Sequence, residues 1–505
     1  MSHNRAQLPA PLYTAEQTQL LDRIAIERFG IPGIRLMQRA GHALFAVLQA
    51  EFPGTSRLTI LAGAGNNGGD GFVVAALAWQ QGINVQLLCV GPEDFAQRLT
   101  GEALQAWRQL SETGVVPEPF TEDVEMTGEV ILDAMLGTGL SGPVREPFLA
   151  AIKRVNRLGR PVLAADIPSG LCADTGSVSG PAIRASITLS FIGLNRGLLT
   201  AEGVEHAGRV LFDGLHLPDE VYDEVPVQVF RTGQDDLAEM LPRRQRNAHK
   251  GHYGHLLVVG GDHGMGGAAL LAAEAGLRAG AGRVSLATRQ LHLGAALARC
   301  PEVMVHGVDC VGQLIPLLEQ ADIVVIGPGL GQHAWGEQML AAVLAAAKPM
   351  VVDADALNIM SAKNLFSGDH VASVFTPHPG EAAYILQSAI AQLQADRFQS
   401  VMALQQICGG AVVLKGAGSL SCAGEVVHLC DAGNPGMSVA GMGDVLSGIC
   451  GALLAQGLVA EDAARLGVYI HASAADRVAT QRGERGILAS DLFLEINQVI
   501  NGLHK

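Results

Sequence analysis

The chain has little charge and no paired cysteines. Asp, Glu, Lys and Arg make up only 16% of 505 residues, with 34 basic against 49 acidic side chains and a formal net charge of −15. A nucleic-acid surface needs clustered Lys and Arg to neutralise phosphates, so a nucleic-acid partner is not expected. A local anion site is still open, because backbone N–H groups bind phosphate without basic side chains. The eight cysteines are scattered and no two have CxxC spacing. That speaks against zinc clusters and disulfides, and fits small buried apolar residues in a reducing cytosol. No membrane span is expected either: the longest uncharged stretch, Gly71 to Pro92, is broken by Gln80, Gln81, Asn84 and Gln86. The opening MSHNRAQLPAPLYTAEQ is polar and lacks the apolar core of a signal peptide, so a cytoplasmic location is expected. There is no Gx4GK[ST] sequence, which excludes a Walker-type nucleotide site.

What the chain does have is 49% hydrophobic residues and 62 glycines, enough for two or more sizeable cores with many tight loops. In the first half, strands are predicted at Leu58–Ala62, Asn84–Val90, Val130–Met135, Pro161–Ala165, Ser186–Phe191 and Arg209–Phe212, with a helix over Phe72–Gln81. Short apolar strands separated by helical stretches indicate a parallel sheet covered on both faces. The texture changes over residues 231–253, a charged, apolar-poor segment with Pro242 that reads as a linker or an exposed entry segment. The rhythm then restarts, with strands expected at His255–Gly260, Arg283–Thr288, Asp322–Ile326, Pro349–Val352, Val371–Thr376 and Ala411–Leu414, and a helix over about 268–279. No repeat relates the halves. Two different α/β domains are therefore expected, over residues 1–230 and 235–505.

The densest signal is GAGNNGGDG, Gly63–Gly71, placed after a strand and before a helix. Its opening Gly63-x-Gly65-x-x-Gly68 matches the dinucleotide-binding fingerprint, in which glycines let the backbone approach a ligand at a helix N-terminus. The acid expected at the end of the second strand is missing: Val90 is followed by Gly91, Pro92 and only then Glu93. Two other strand ends carry polar residues, Asp133 in VILDAMLGTG and Asp166 and Ser169 in PVLAADIPSG. Ligands of open α/β sheets sit beyond the carboxyl ends of the strands, so Asn67, Asp133, Asp166 and Ser169 could share one crevice. One carboxylate with neutral Asn and Ser oxygens suits a hard, weakly bound cation better than zinc. Each acid alone could equally be a turn or cap residue.

GNNGGDG, DAMLGTG and DIPSG, in that order, resemble the signatures of the NAD(P)H-hydrate epimerase family. The resemblance implies a Rossmann-like fold and interconversion of the R and S forms of the hydrated cofactors NADHX and NADPHX. It makes Asp166 the catalytic acid/base. It places the hydrate against Asn66, Asn67, Gly68, Gly69 and Asp70, against the loop Gly137, Thr138, Gly139, Leu140, Ser141, Gly142 and Pro143, and against Asp166. It also implies a K⁺ ion on Asn67, Asp133 and Ser169. Some family members carry a lysine in the loop after GTG, which GLSGPVREP lacks, so that role is unassigned.

In the second half, LKGAGS (Leu414–Ser419) follows a strand, and GMGD (Gly441–Asp444) precedes an apolar helical stretch, Val445–Leu454. A glycine turn at a helix N-terminus presents N–H groups to phosphate, and an adjacent Asp can take a proton from an attacking hydroxyl. GMGD after VVLKGAG resembles the ribokinase-like superfamily. HKGHYG, GGDHG, GPGLG, DADALN and TPHPGE narrow the resemblance to the ADP-dependent NAD(P)H-hydrate dehydratase family over roughly 235–500. The implied architecture is an N-terminal Rossmann-like parallel-sheet domain followed by a ribokinase-like α/β domain, together a bifunctional repair enzyme. By the same resemblance Lys415, Gly416, Ala417, Gly418, Ser419 and Gly443 contact the nucleotide. Ala268, Gly329, His378 and Asp444 contact the hydrate, and Asp444 is the catalytic base. Mg²⁺ accompanies ADP, with Glu381 or Asp353 as helpers, and a homo-oligomer is expected. His378, between two prolines, could instead be a rigid turn residue, and the Asp353/Asp355 pair a solvated strand end. The competing reading is a ribokinase-like small-molecule (vitamin) kinase fused to a nucleotide-binding module.

Overall fold

Runs of Val, Ile, Leu and Ala bounded by glycine turns form parallel strands here because helices cover both faces of each sheet. The computed structural model of the protein describes residues 8–139 and 142–502. They fall into two compact units, Met1–Val229 and Phe230–Lys505. Among the described residues, no helix is long and apolar enough to cross a membrane.

In the first unit the sheet runs in the order Pro117–Pro119, Asn84–Cys89, Arg57–Ala62, Val130–Ala134, Val162–Ala165, Ile187–Phe191, Arg209–Asp213. Every pair is parallel, with Leu58 opposite Val130 and Leu61 opposite Asp133. The chain works outward from Arg57–Ala62 to Pro117–Pro119, then returns to Val130–Ala134 on the other side. The loops leaving Ala62 and Ala134 therefore diverge and open a crevice at the carboxyl edge. The helix after Ala62 starts at Asn66, not at Phe72 as the apolar pattern suggested. Its glycines are packing residues. A Cβ on Gly68 would lie 1.8 Å from the Gly63 carbonyl oxygen, and one on Gly71 would lie 2.9 Å from the Ala134 Cβ. GNNGGDG is thus two helical turns pressed onto the strand ends rather than a loop.

In the second unit, next to the short strand Val229–Arg231 at its start, the order is Val427–Cys430, Ser419–Cys422, Ala411–Leu414, Val374–Phe375, Met350–Val352, Ile323–Ile326, His255–Val259, Arg283–Thr288, Met304–Gly307. The strands are parallel except for the antiparallel ribbon Ala411–Leu414, Ser419–Cys422, Val427–Cys430. The direction of winding reverses between His255–Val259 and Ile323–Ile326, which opens a second crevice of the same kind. Three strands are not apparent from the sequence: Met304–Gly307, Ser419–Cys422 and Val427–Cys430. They are four residues long and mix polar with apolar side chains. The expected strand Val371–Thr376 shrinks to Val374–Phe375, and Val371 is exposed.

The segment 231–253 is only partly a linker. Gln234–Met240 is a helix whose Leu237 is fully buried in the core of the second unit, and Asp236 accepts from Arg465 at 2.9 Å. One buried leucine in a charged segment is too sparse a pattern to reveal it. Leu237→Ala should destabilise this unit by about 2–5 kcal/mol, the range for truncating a buried leucine. Urea unfolding of the second unit measures this, and a loss of only a few tenths of a kcal/mol, the scale of a surface substitution, would show that the helix is not docked.

Candidate active sites

A cavity of about 690 Å³ occupies the crevice of the first unit. The loop Ala64–Asn67 lines one side and Met135–Gly139 the other. Leu36, Met37, Ala40, Phe148, Phe191 and Ile192 supply apolar walls, and Asp70 and Asp166 are among its acids. The first turn of helix Asn66–Gln80 faces this space, so its N-terminus favours an anionic or electron-rich group there.

Asp166 follows strand Val162–Ala165 with φ of +64°, a left-handed conformation that costs free energy in a non-glycine residue. The turn directs its carboxylate into the cavity. Oδ1 accepts weakly from the Phe191 N–H at 3.4 Å and the Asn195 Nδ2 at 3.5 Å, and no described residue donates to Oδ2. Burial raises its pKa to about 7, which the Phe191 N–H only partly offsets. Asp70 is pushed well above the usual carboxylate range by burial, then by Asp166 and Asp22. The cavity therefore holds two neighbouring carboxyls whose charged forms burial disfavours, Asp166 with a pKa of about 7 and Asp70 shifted in the same direction.

Asp133 and Ser169 lie behind the cavity wall and are completely buried. Ser169 donates to Asp133 through Oγ at 2.7 Å and through its N–H at 2.8 Å, and its Oγ accepts from the Leu136 N–H at 2.9 Å. Burial still raises the Asp133 pKa to about 6. Asn67 lies against Gly137, whose missing Cβ would sit 3.4 Å from the Asn67 Cβ. Both polar atoms of the Asn67 amide are buried without a protein partner. An amide with no partner, one carboxylate and one hydroxyl form an oxygen-rich donor set around one loop, which fits a hard monovalent cation.

Some predicted residues fall elsewhere. Gly68 packs on Gly63, and Gly69 packs on Met37 and Ala103, so neither lines the cavity. Gly142 and Pro143 are outside its lining, while Leu140 and Ser141 lie outside the described residues. Asn66, Asn67, Asp70, Gly137, Thr138, Gly139 and Asp166 all line it. Thr18, Asp22 and Glu102 line it as well and were not anticipated. They sit on helices Ala15–Glu27 and Gly101–Leu110, and a polar residue on a helix carries no mark in the sequence that distinguishes a cavity from solvent.

In the second unit, the motifs that follow successive strands meet at the carboxyl edge. Gly329, with φ of +57°, lies against Ala268: a Cβ there would be 3.2 Å from that of Ala268. Its carbonyl accepts from the Asp262 N–H at 2.7 Å, and Asp262 pairs with Arg289 at 2.8 Å. Lys415 Nζ lies 2.9 Å from Asp353 Oδ1 and 3.9 Å from Glu381 Oε2. Ser447, unread in the sequence, donates to Asp353 Oδ2 at 2.7 Å. Asp353 is thus buried and doubly partnered, not a solvated strand end, and Lys415 and Ser447 hold its pKa down against burial. A Cβ on Gly443 would come within 3.2 Å of Lys415 Nζ and 3.5 Å of Asp353 Oδ2, which places the GMGD turn on this ion pair.

Helix Met442–Ala455 begins three residues before the expected Val445, so Gly443 and Asp444 form its first turn. Gly441 caps it with φ of +93°, a conformation that favours glycine. Burial and Asp353 raise the Asp444 pKa to about 7, with Lys415 opposing. Glu381 also rises to about 7, chiefly by burial. His378 is the N-cap of helix Pro379–Ile385: Nδ1 accepts from the Gly380 and Glu381 N–H groups at 3.0 and 3.3 Å, and Nε2 is 3.2 Å from Glu381 Oε1. The ring is fixed by the turn, yet its side chain remains half exposed. Lys415–Ser419 is a strand-to-strand turn closed by Ser419, whose Oγ donates to the Gly416 carbonyl at 2.9 Å.

A family model described as YjeF-related protein N-terminus matches residues 33–197, and one described as NAD(P)H-hydrate dehydratase matches residues 256–498. The bifunctional NAD(P)H-hydrate repair enzyme Nnr of Coxiella burnetii is 43% identical, over 97% of this chain and 99% of its own length. Its namesake in Escherichia coli K12 is 40% identical, over 99% and 96%. The crystal structure of a ribokinase-like superfamily protein from Enterococcus faecalis V583 is 29% identical with a TM-score of 0.51, over 55% of this chain and 96% of that one. The second unit thus has a ribokinase-like fold. Two sites on two α/β units, both family models in the expected order and relatives aligned end to end identify the chain as a member of the bifunctional NAD(P)H-hydrate repair enzymes.

Proposed function

We propose that the first unit interconverts R- and S-NAD(P)HX and the second dehydrates the S form at the expense of ADP. The observation that carries this reading is common to both units: a desolvated aspartate, Asp166 or Asp444, whose pKa is raised to about 7 at the carboxyl edge of a parallel sheet. The hydrate is a carbinolamine, whose C6 bears both a hydroxyl and the ring nitrogen. Inverting C6 requires a proton to leave and return as the C–O or C–N bond opens. A carboxyl with a pKa near 7 serves both directions. Asp166 carries that proton, and Asp70 beside it, its charged form disfavoured by burial, faces the hydrate. Asn66, Gly137, Thr138 and Gly139 position the hydrate against the apolar walls. Asn67, Asp133 and Ser169 would hold K⁺, which when bound supplies a fixed positive field beside the first turn of helix Asn66–Gln80.

In the second unit, Asp444 takes the proton of the C6 hydroxyl. The hydroxyl oxygen attacks the terminal phosphorus of ADP, and AMP leaves. The C6 phosphate ester then loses phosphate and a proton from the neighbouring carbon, restoring the ring double bond. Hydrate plus ADP becomes NAD(P)H, AMP and phosphate. The nucleotide lies along Lys415–Ser419 and Gly443, the hydrate against Ala268, Gly329 and His378. Both oxygens of Asp353, like both of Glu381, already have protein partners. Mg²⁺ would therefore be held by nucleotide phosphates and water, with these acids as outer partners, and it neutralises phosphate charge when bound. The eight free cysteines support a cytoplasmic setting.

The two units are proposed as separable domains, an epimerase within 1–230 and a dehydratase within 235–505. Chains 1–229 and 230–505, cut between the compact units, should each fold and retain one activity. If both fragments are inactive while the intact chain works, that proposal fails.

Asp166→Asn should lower epimerisation by about 100- to 10,000-fold, the usual contribution of a general acid–base group, and leave dehydration of S-NADHX unchanged. Epimerisation within about tenfold of the unaltered chain would refute the assignment.

Asp444→Asn should bind ADP normally and lose dehydration by about 100-fold or more. A base works only when ionised, so kcat/KM for dehydration should fall about tenfold per pH unit below the Asp444 pKa of about 7. A profile that stays flat down to about pH 5 would contradict Asp444 as the base.

A further inference from the structure

The turn assigned to the nucleotide carries no helix N-terminus of its own; the one beside it opens at Gly441–Gly443, against the Lys415 ammonium. Lys415–Ser419 joins antiparallel strands, with Val412 opposite Cys422 and Leu414 opposite Leu420, so no helix begins there to aim a dipole at it. Its one lysine is already engaged by Asp353 and Glu381. Behind the turn lies Arg397, only 1% exposed and among the largest fully buried side chains. Nη2 donates to the carbonyl oxygens of Leu414 at 3.2 Å and Lys415 at 3.4 Å, Nη1 donates to Gln394 Oε1 at 2.9 Å, and Nε has no partner. Among the described residues no carboxylate forms an ion pair with it. A Cβ on Gly416 would lie 2.7 Å from Nη1, so the guanidinium rests directly against the backbone of the turn.

This placement is unfavourable in three ways. The charge is buried, it lacks a counter-ion, and it occupies the first position of helix Arg397–Cys408, where the helix dipole repels a cation. Burial lowers its pKa only to about 10, so it stays charged at neutral pH. The acceptors around this cation, the Gln394 amide and the Leu414 and Lys415 carbonyls, are all neutral and leave its charge uncompensated by protein.

We propose that Arg397 is a positioning residue and fixed positive charge whose counter-ion is the phosphate chain of the bound nucleotide, acting through the backbone of Lys415–Ser419. The proposal rests on the assignment of that turn to the nucleotide. It predicts that recognition at this site is graded by phosphate charge, with the adenosine part contributing independently of Arg397.

The test measures the affinity of the full chain for adenosine, AMP, ADP and ATP by calorimetry, in Arg397→Met, Arg397→Lys and Gly418→Val. Arg397→Met keeps much of the buried volume and removes the charge. Its affinity should fall more with each phosphate, about tenfold or more for ADP and ATP and under about twofold for adenosine. Arg397→Lys should recover most of the loss. A loss equal for all four ligands, adenosine included, would show a purely structural support for the turn and overturn the proposal. So would unchanged affinity in Arg397→Met while Gly418→Val still weakens ADP. If neither variant affects ADP, the assignment of the turn itself fails. Should Arg397→Met not fold, Arg397→Gln replaces it under the same criteria.

Discussion

Removal of a carboxyl from water at the end of a parallel sheet is the constraint on which both proposed activities rest. An aspartate in solution is ionised at neutral pH and holds a proton too weakly to return it. Asp166 follows a strand at the carboxyl edge of the first sheet and lines the cavity there, and Asp444 lies in the first turn of a helix beside Asp353 and Lys415 in the second unit. Burial is the first cause of the shift at both positions. The surroundings then differ. Among the described residues Asp166 has two weak donors, and Asp70 beside it. Asp444 stands over a balance of charges in which Lys415 is shared between Asp353 and Glu381. One unit needs a proton that can move either way, the other a base beside a phosphate chain.

The glycines follow from the same constraint. A gap at the sheet edge stays narrow only if the flanking helices approach the strand ends closely. Gly68 and Gly71 allow this in the first unit, and Gly443 and Gly448 in the second, where a Cβ on Gly448 would sit 2.1 Å from the Ala272 carbonyl oxygen. Much of the glycine-rich sequence that looks like ligand loop is therefore packing surface, and the cavity-lining positions are fewer: Asn66, Asn67 and Asp70 rather than Gly68 and Gly69.

The sheet cores and the motif-bearing strand ends were legible in the sequence because an apolar run that stops at a glycine and an acid is the pattern of a buried strand delivering a polar group to a sheet edge. Asp133 and Asp166 stand out in this way, and Asp444 does so from the glycine turn that opens its apolar helix. The antiparallel ribbon of the second sheet was not legible, since SLSC and VHLC alternate too weakly to register as strands, and their pairing fixes Lys415–Ser419 as a turn between strands. Helix Gln234–Met240 was hidden by its charge, with Leu237 its one fully buried residue. Asp22, Glu102, Ser447 and Arg397 were invisible for a different reason: each lies outside the motif it serves, and only folding brings it there. The loop lysine absent from GLSGPVREP has no replacement evident among the described residues.

The central claim is that desolvation holds Asp166 and Asp444 near neutrality in the free enzyme. ¹³C NMR titration of aspartate carboxyls in the full chain, compared with Asp166→Asn and Asp444→Asn, reads this directly. The account predicts one resonance lost in each variant, both titrating in the unaltered chain near pH 7. If the lost resonances instead titrate near about pH 4, as in exposed aspartates, the crevices do not tune these groups and the account is wrong.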